Sequence, residues 1–251
     1  MRLRLIACEV FTRELCALVA GSANEVDVSY LPKGLHSAGA TTMLAHLQET
    51  IDQVPVGYDA TLLGYGLCNN GLRHLVARQT PLVIPRAHDC ITLFLGSRQR
   101  YRKHFDDHPG TYYLTSGWIE RGDDGNDYQL RNIERDNGLD LSYDTLVARY
   151  GADNAAYLAE ALGQTNHYGD LAYIAMGVEP DARFERIAAE RAGERDWNFR
   201  RLEGDLTLLR RLLDGPWDED FLVLQPGHRL ITRYDERIID GEACPAQREH
   251  R

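Results

Sequence analysis

"YDATLLGYGLCNN", Tyr58–Asn70, passes from polar residues into an unbroken apolar run and stops in a glycine-rich turn that carries a cysteine. A strand with helices on both sides reads this way, because neither face meets water and nothing selects polar alternation. The flanking sequence agrees. Upstream, "RLRLIAC" (2–8) reads as a strand, "FTRELCALVAG" (11–21) as a helix ended by glycine, "EVDVSYL" (25–31) as a strand and "TTMLAHLQETIDQV" (41–54) as a helix. Downstream, "TPLVIP" (80–85) is a fourth strand, "ITLFLGSRQRYRKHF" (91–105) the helix after it, and "GTYYLTSGW" (110–118) a fifth strand. Strands alternating with helices argue for a parallel sheet covered on both faces.

The polar, glycine-dotted stretch "ERGDDGNDYQLRNIERDNGLDL" (120–141) interrupts this rhythm, and "LSYDTLVARYG" and "DNAAYLAEALGQ" after it read as helical. The α/β alternation then resumes with "LAYIAMG", "FERIAAERAG", "WNFRRLEG", "LTLLRRLLDG" and "DFLVLQPG". The second run echoes the first, strand for strand, although generic α/β units can resemble one another by chance. The expected fold is α/β: a three-layer arrangement of parallel sheets with flanking helices, in two similar βαβαβ lobes facing a cleft. The expected boundaries are 1–120 for the first lobe, 121–168 for a linker or helical excursion, 169–240 for the second lobe and 241–251 for a polar tail.

A chain of 251 residues can bury a proper core. Its net charge of −10, with no basic run, lacks the footprint of a nucleic-acid binder. No apolar stretch reaches the roughly 18 residues of a membrane span, and the start lacks the apolar region and cleavage site of a signal peptide. A cytoplasmic protein with neither nucleic-acid nor membrane partners is expected. Five scattered cysteines, an odd number, argue against a disulfide framework and leave core residues, metal ligands or nucleophiles as their roles.

In open α/β sheets, ligands bind beyond the carboxyl ends of the strands. Cys8 closes the first strand, Cys68 lies in the turn after the third, and Arg86, His88, Asp89 and Cys90 follow the fourth. Three cysteines and a histidine thus fall on one expected rim. Cys8, Cys68, Cys90 and His88 form a soft sulfur/nitrogen set suited to zinc, with iron or an iron–sulfur centre as the alternative. Ligands drawn from separate loops suit a catalytic centre with an open position better than a structural one. Asp89 could orient an imidazole behind the metal. Each residue also has a plainer reading: Cys8 as core, and His88 or Asp89 as the cap of the following helix. Cys16 reads as core, Cys244 as incidental, and Asp205 as a helix cap.

Arg86, Gly66, Trp118 and Arg229 are candidates to bind a small-molecule substrate, although an arginine near a strand end is as often in a structural salt bridge. Lys33 is a further cation for an anionic substrate. Gly66 would permit close backbone approach. His228, in "PGHR" (226–229) after the last strand of the second run, and His88 are candidates for general acid/base work. Tyr101, Tyr112, Tyr113 and Trp118 cluster near the same rim and could wall a pocket. The sequence has no G-x-S-x-G, no H-E-x-x-H and no paired-carboxylate signature, which disfavours the hydrolases that depend on them.

The blocks "GYGLCNNGL", "PLVIPRAHDCITLFLGSRQRY", "PGTYYLTSGWIERG" and "RRLEGDLTLLRRLLDGPWDEDFLVLQPG" resemble the signature blocks of a bacterial and archaeal family, the domain of unknown function numbered sixteen thirty-eight. The resemblance runs from about Arg2 to Ile231. It implies a single unit, and it hints at corrinoid-dependent methyl transfer, alongside which such members occur. The pair His88-Asp89-Cys90 is similar in local form to the H-x-C of zinc enzymes that move a methyl group from a corrinoid to a thiol, but here the other cysteines lie upstream.

The expected function is a metal-dependent transferase, moving a methyl or similar one-carbon group, with a corrinoid protein as a candidate partner. The alternatives are a non-catalytic two-lobed protein binding a small molecule or metallocofactor, and a metal-free thiol enzyme.

Overall fold

In the computed structural model, which describes residues 1–36, 38–68, 70–121, 147, 151 and 168–245, the apolar run in the third strand sits at the centre of the larger sheet. That sheet begins with β1 (Arg2–Cys8), β2 (Glu25–Leu31), β3 (Ala60–Gly64) and β4 (Leu82–Pro85), all parallel, in the order β2-β1-β3-β4. Every residue of β3 and β4 is buried, whereas β2, on the open edge, is only half-buried. The apolar run therefore means what the pattern predicts. Helices α1 (Thr12–Val19) and α2 (Ala40–Asp52) make the crossovers, the latter burying Met43, Leu47 and Ile51 at four-residue spacing.

The stretch after β4 departs from the single expected helix. It forms α3 (Cys90–Leu95) and α4 (Arg98–Asp107), divided at Gly96, whose left-handed φ of +70° ends α3. The Ser97 hydroxyl then caps α4 by accepting from the Arg100 N–H.

The expected lobes exchange strands. β5 (Thr111–Leu114) pairs not with β4 but with β6 (Asp170–Ala175), which in turn pairs with β7 (Asn198–Glu203), giving a separate three-stranded parallel sheet. Along the chain α5 (Ser116–Glu120) follows β5, α6 (Arg183–Glu194) joins β6 to β7, and α7 (Thr207–Asp214) follows β7. β8 (Phe221–Leu224) returns to the first sheet and pairs antiparallel with β4, Val83 opposite Val223. The boundaries at 120 and 169 therefore do not separate two sheets, and the sheets are not purely parallel.

The strand-for-strand echo survives in β1/β2 and β6/β7, parallel neighbours in both sheets, and fails at the third strand. A four-residue apolar run such as "FLVL" announces burial but neither its partner nor its direction. Residues 241–243, expected in a polar tail, belong to β10 (Ile239–Ala243), which forms a hairpin with β9 (His228–Thr232). The helices expected in 141–164 lie outside the described residues, apart from Val147 and Gly151. Among the described residues no helix is long and apolar enough to cross a membrane.

Candidate functional site

The three cysteines of the expected rim come from three adjacent strands of one sheet. Cys8 is the last residue of β1 and is buried. Cys90 opens α3 and is also buried, while Cys68 keeps partial exposure. Two backbone hydrogen bonds join the loops after β3 and β4: Leu67 N–H donates to Ala87 O at 2.8 Å and Cys68 N–H to His88 O at 3.0 Å. This stitching holds Cys68 at φ +47°, a conformation that non-glycine residues adopt rarely and that clusters at functional sites. It also requires Gly66, because a β-carbon there would lie 2.7–2.8 Å from the backbone of Asp89.

The thiols lie near enough to influence one another. Burial pushes the Cys8 thiol up to about 12. Burial raises Cys68 and Cys90 as well, and negative charge on Cys8 adds to both shifts. Without a cation these groups stay protonated and inert. Among the described residues, no group of three or more His, Cys, Asp or Glu side chains already stands where it could hold a metal ion.

The strand-end reading missed His36. It ends a short 3-10 turn, Lys33–His36, that follows β2, and its Nε2 lies 3.7 Å from Cys8 Sγ. The Lys33 N–H donates to Glu9 Oε1 at 2.9 Å, tying this turn to the segment after β1. Burial pulls the His36 imidazole down to about 4, so it is neutral at ordinary pH. The signal was present in the sequence: His36 lies only five residues past a strand on the same rim.

The second sheet contributes the roof. Thr115 Oγ1 accepts from the Trp118 N–H and starts α5 just past β5. Gly117 lets that helix press against the segment after β1, since a β-carbon there would fall 1.7 Å from Val10 O. Arg13 on α1 grips Glu120 through two hydrogen bonds of 2.8 and 2.6 Å. The Trp118 ring then stands 6.0 Å from the His36 ring, with Lys33 Nζ 5.5 Å from the indole centroid. The indole favours the thiolate of Cys90, but its buried Nε1 has no hydrogen-bond partner of ordinary geometry. The buried hydroxyl of Tyr65, 1 % exposed, lacks one too; its ring is 6.4 Å from His36, and its ionisation is opposed by burial and by Cys8 and Cys68.

The remaining candidates lie elsewhere. His88 is exposed and lines a cavity of about 1010 Å³, together with Asp89, Arg98, Tyr101, Phe105 and Tyr234; none of the cysteines lines it. Asp89 is a helix cap: Oδ1 accepts from Ile91 N–H and Thr92 N–H, and Oδ2 from the Tyr101 hydroxyl. Arg86 donates to the carbonyls of Arg237 and Ile239 and so fastens the hairpin. Arg229 pairs with Glu242 across that hairpin at 2.5 Å. His228 is the first residue of β9, opposite Ala243 of β10, and its Nδ1 lies 3.3 Å from Pro226 O. Asp205 accepts from Thr207 N–H at 2.7 Å at the start of α7, as a cap should. Cys16, expected in the core, is exposed, with Sγ 3.5 Å from the Tyr30 hydroxyl. Its helix buries the neighbouring Leu15 and Leu18 instead.

Two largely parallel sheets, with three cysteines at the strand ends of one where a helix of the other packs against it, define an α/β protein with a candidate strand-end site. The chain belongs to the family described as Protein of unknown function (DUF1638), whose model matches residues 30–213. His36, Cys68, Cys90 and Trp118 fall within that segment, and Cys8 precedes it. Neither the curated proteins nor the solved structures provide a match.

Proposed function

We propose that the protein is a metal-dependent transferase whose Cys8, Cys68 and Cys90 hold zinc, or failing zinc iron, at the carboxyl ends of β1, β3 and β4. One observation carries this reading: three thiols at the ends of adjacent strands share a rim with two buried donors, Tyr65 O–H, which has no acceptor, and Trp118 Nε1–H, which faces Cys90 outside ordinary hydrogen-bond geometry. A buried donor left unpaired costs about 1–3 kcal/mol. Neutral thiols accept hydrogen bonds weakly. Thiolates on a metal accept strongly, so loading the site would satisfy both donors at once.

The reaction that fits is transfer of a methyl or similar one-carbon group to a thiol. The metal, when bound, supplies a Lewis acid that keeps the thiol substrate deprotonated at neutral pH. The thiol's proton leaves to water. The sulfur lone pair forms the new bond to the methyl carbon, and the bond to the donor breaks with its electron pair remaining on the donor. A methylated corrinoid protein, whose cobalt takes that pair, is the donor partner proposed.

The second reading is a two-lobed binding protein for a small molecule or metallocofactor. The cavity of about 1010 Å³ favours it, being at the top of the usual ligand-pocket range of about 300–1,000 Å³. The two readings divide on whether the metal has an exchangeable position.

The test is metal content by mass spectrometry of protein purified without added metal, beside Cys68→Ser and Cys90→Ser. Near-stoichiometric zinc or iron in the wild type, lost in both variants, is expected. A folded wild type that carries no metal and takes none up under reducing conditions overturns the proposal.

A further inference from the structure

We infer that His36, and not His88, is the nitrogen donor of this centre. The inference rests on the metal reading above and specifies its fourth ligand. Zinc binds sulfur at about 2.3 Å and imidazole nitrogen at about 2.0–2.1 Å, so a tetrahedral site separates the two ligand atoms by about 3.6 Å. Cys8 Sγ and His36 Nε2 stand 3.7 Å apart. One edge of the tetrahedron is thus already at the right length, with the ring nitrogen aimed at the thiol.

The surroundings hold the imidazole there. Pro32 and the 3-10 turn carry the chain back over the rim, and Lys33 N–H is pinned by Glu9, the residue after Cys8. The rings of Tyr65 and Trp118 flank the imidazole at 6.4 and 6.0 Å. His88 has none of these features. Its ring is exposed in the large cavity, although its carbonyl is fixed by Cys68 N–H.

The four donors also differ in how they are held. The cysteines come from β1 and from the loops after β3 and β4, which are stitched together by backbone hydrogen bonds. His36 comes from a turn in which no residue is fully buried. It is therefore the donor that can yield its position to a substrate thiol with least disturbance of the sheet. The sequence H-x-C at 88–90 points to the wrong histidine because proximity along the chain is a poor guide to proximity across a rim assembled from four loops.

The experiment uses zinc and cobalt(II) alone as probes, with wild type, His36→Ala, His36→Gln and His88→Ala. X-ray absorption of the zinc protein reads whether an imidazole is bound, from its outer-shell scattering. Competition with a chelator reads cobalt affinity. The expected wild type shows one imidazole; both His36 variants lose it and bind cobalt at least about tenfold more weakly, while His88→Ala matches wild type. Added free imidazole restores the cobalt spectrum of His36→Ala. Retention of the imidazole in both His36 variants, or its loss in His88→Ala, overturns the inference. A wild-type centre with cysteine sulfur and no imidazole overturns it while leaving the metal reading intact. A wild type that binds neither ion overturns both.

Discussion

The rims of the two sheets are built alike and end differently. At the second sheet, the polar groups past β6 and β7 are satisfied locally: Glu179 accepts from Met176 N–H and the Tyr173 hydroxyl, Gly204 N–H donates to Ala175 O, and Asp205 accepts from Thr207 N–H. At the first, the Tyr65 hydroxyl is buried without an acceptor, the indole of Trp118 faces Cys90 outside ordinary hydrogen-bond geometry, and Cys68 is held in a left-handed conformation. The crossover topology only supplies a ring of loops. The proposed chemistry is assigned to the first rim, whose hydrogen bonds are left unfinished, because native interiors rarely leave buried donors unpaired without cause. The second sheet is not idle, since it lends Trp118 to its neighbour.

The largest effect expected from breaking this contrast lies in two glycines that play corresponding parts. Gly66→Ala sets a β-carbon against the Asp89 backbone, which cannot yield without moving α3, and should cost about 3 kcal/mol or more. Gly204→Ala meets Met176 Sδ at 2.2 Å, the far end of a flexible side chain, and should cost about 1 kcal/mol. Urea midpoints of the two variants measure the difference; equal costs would mean that the rims are equally adaptable.

A somewhat smaller effect is expected where the sheets meet. Glu14 on α1 is fully buried, with neither carboxylate oxygen paired, near Glu179, Arg13 and Glu120. Burial raises its carboxyl from the ordinary 4.5 to about 7. The folded state therefore holds the proton more tightly than the unfolded one. The resulting stability is complete below about 4.5 and is lost as pH rises through about 7, up to about 3 kcal/mol in all. Denaturant titrations of wild type and Glu14→Gln at about pH 5 and about pH 8 should show a fall in the wild type that the variant lacks. Parallel behaviour would remove Glu14 from the account.

The smallest effect distinguishes the unfinished rim from a merely imperfect one. In metal-free protein, Tyr65→Phe deletes an unpaired hydroxyl and should leave stability unchanged or raise it by about 1 kcal/mol. In metal-loaded protein the same change should weaken retention of the ion against a chelator. A loss of stability without metal would mean that the hydroxyl already has a partner.

Much of this was legible in the sequence. Apolar runs located β1, β3, β4 and β6, and the strand-end rule placed Cys8, Cys68 and Cys90 on one rim. Strand partnership was not legible, because "FLVL" and "TYYL" specify burial without naming a neighbour, and each joined the sheet opposite to the expected one. Nor was the split at Gly96, where one residue's left-handed backbone divides an otherwise continuous helical pattern. His36 escaped notice because the strand before it is an edge strand with a weaker apolar run, and the turn that returns it to the thiols depends on a hydrogen bond that Lys33 N–H donates to Glu9.

The antiparallel return of β8 also bears on how the chain is made. A ribosome that has released the first 120 residues has released β1 to β4 but not the strand that covers the outer side of β4. That side, with Leu82, Val83 and Ile84 all apolar, offers unpaired backbone groups to any passing chain until Phe221–Leu224 emerges. Synthesis at about 5–20 residues per second leaves the edge open for several seconds. The thiol rim is complete in sequence long before its sheet can close.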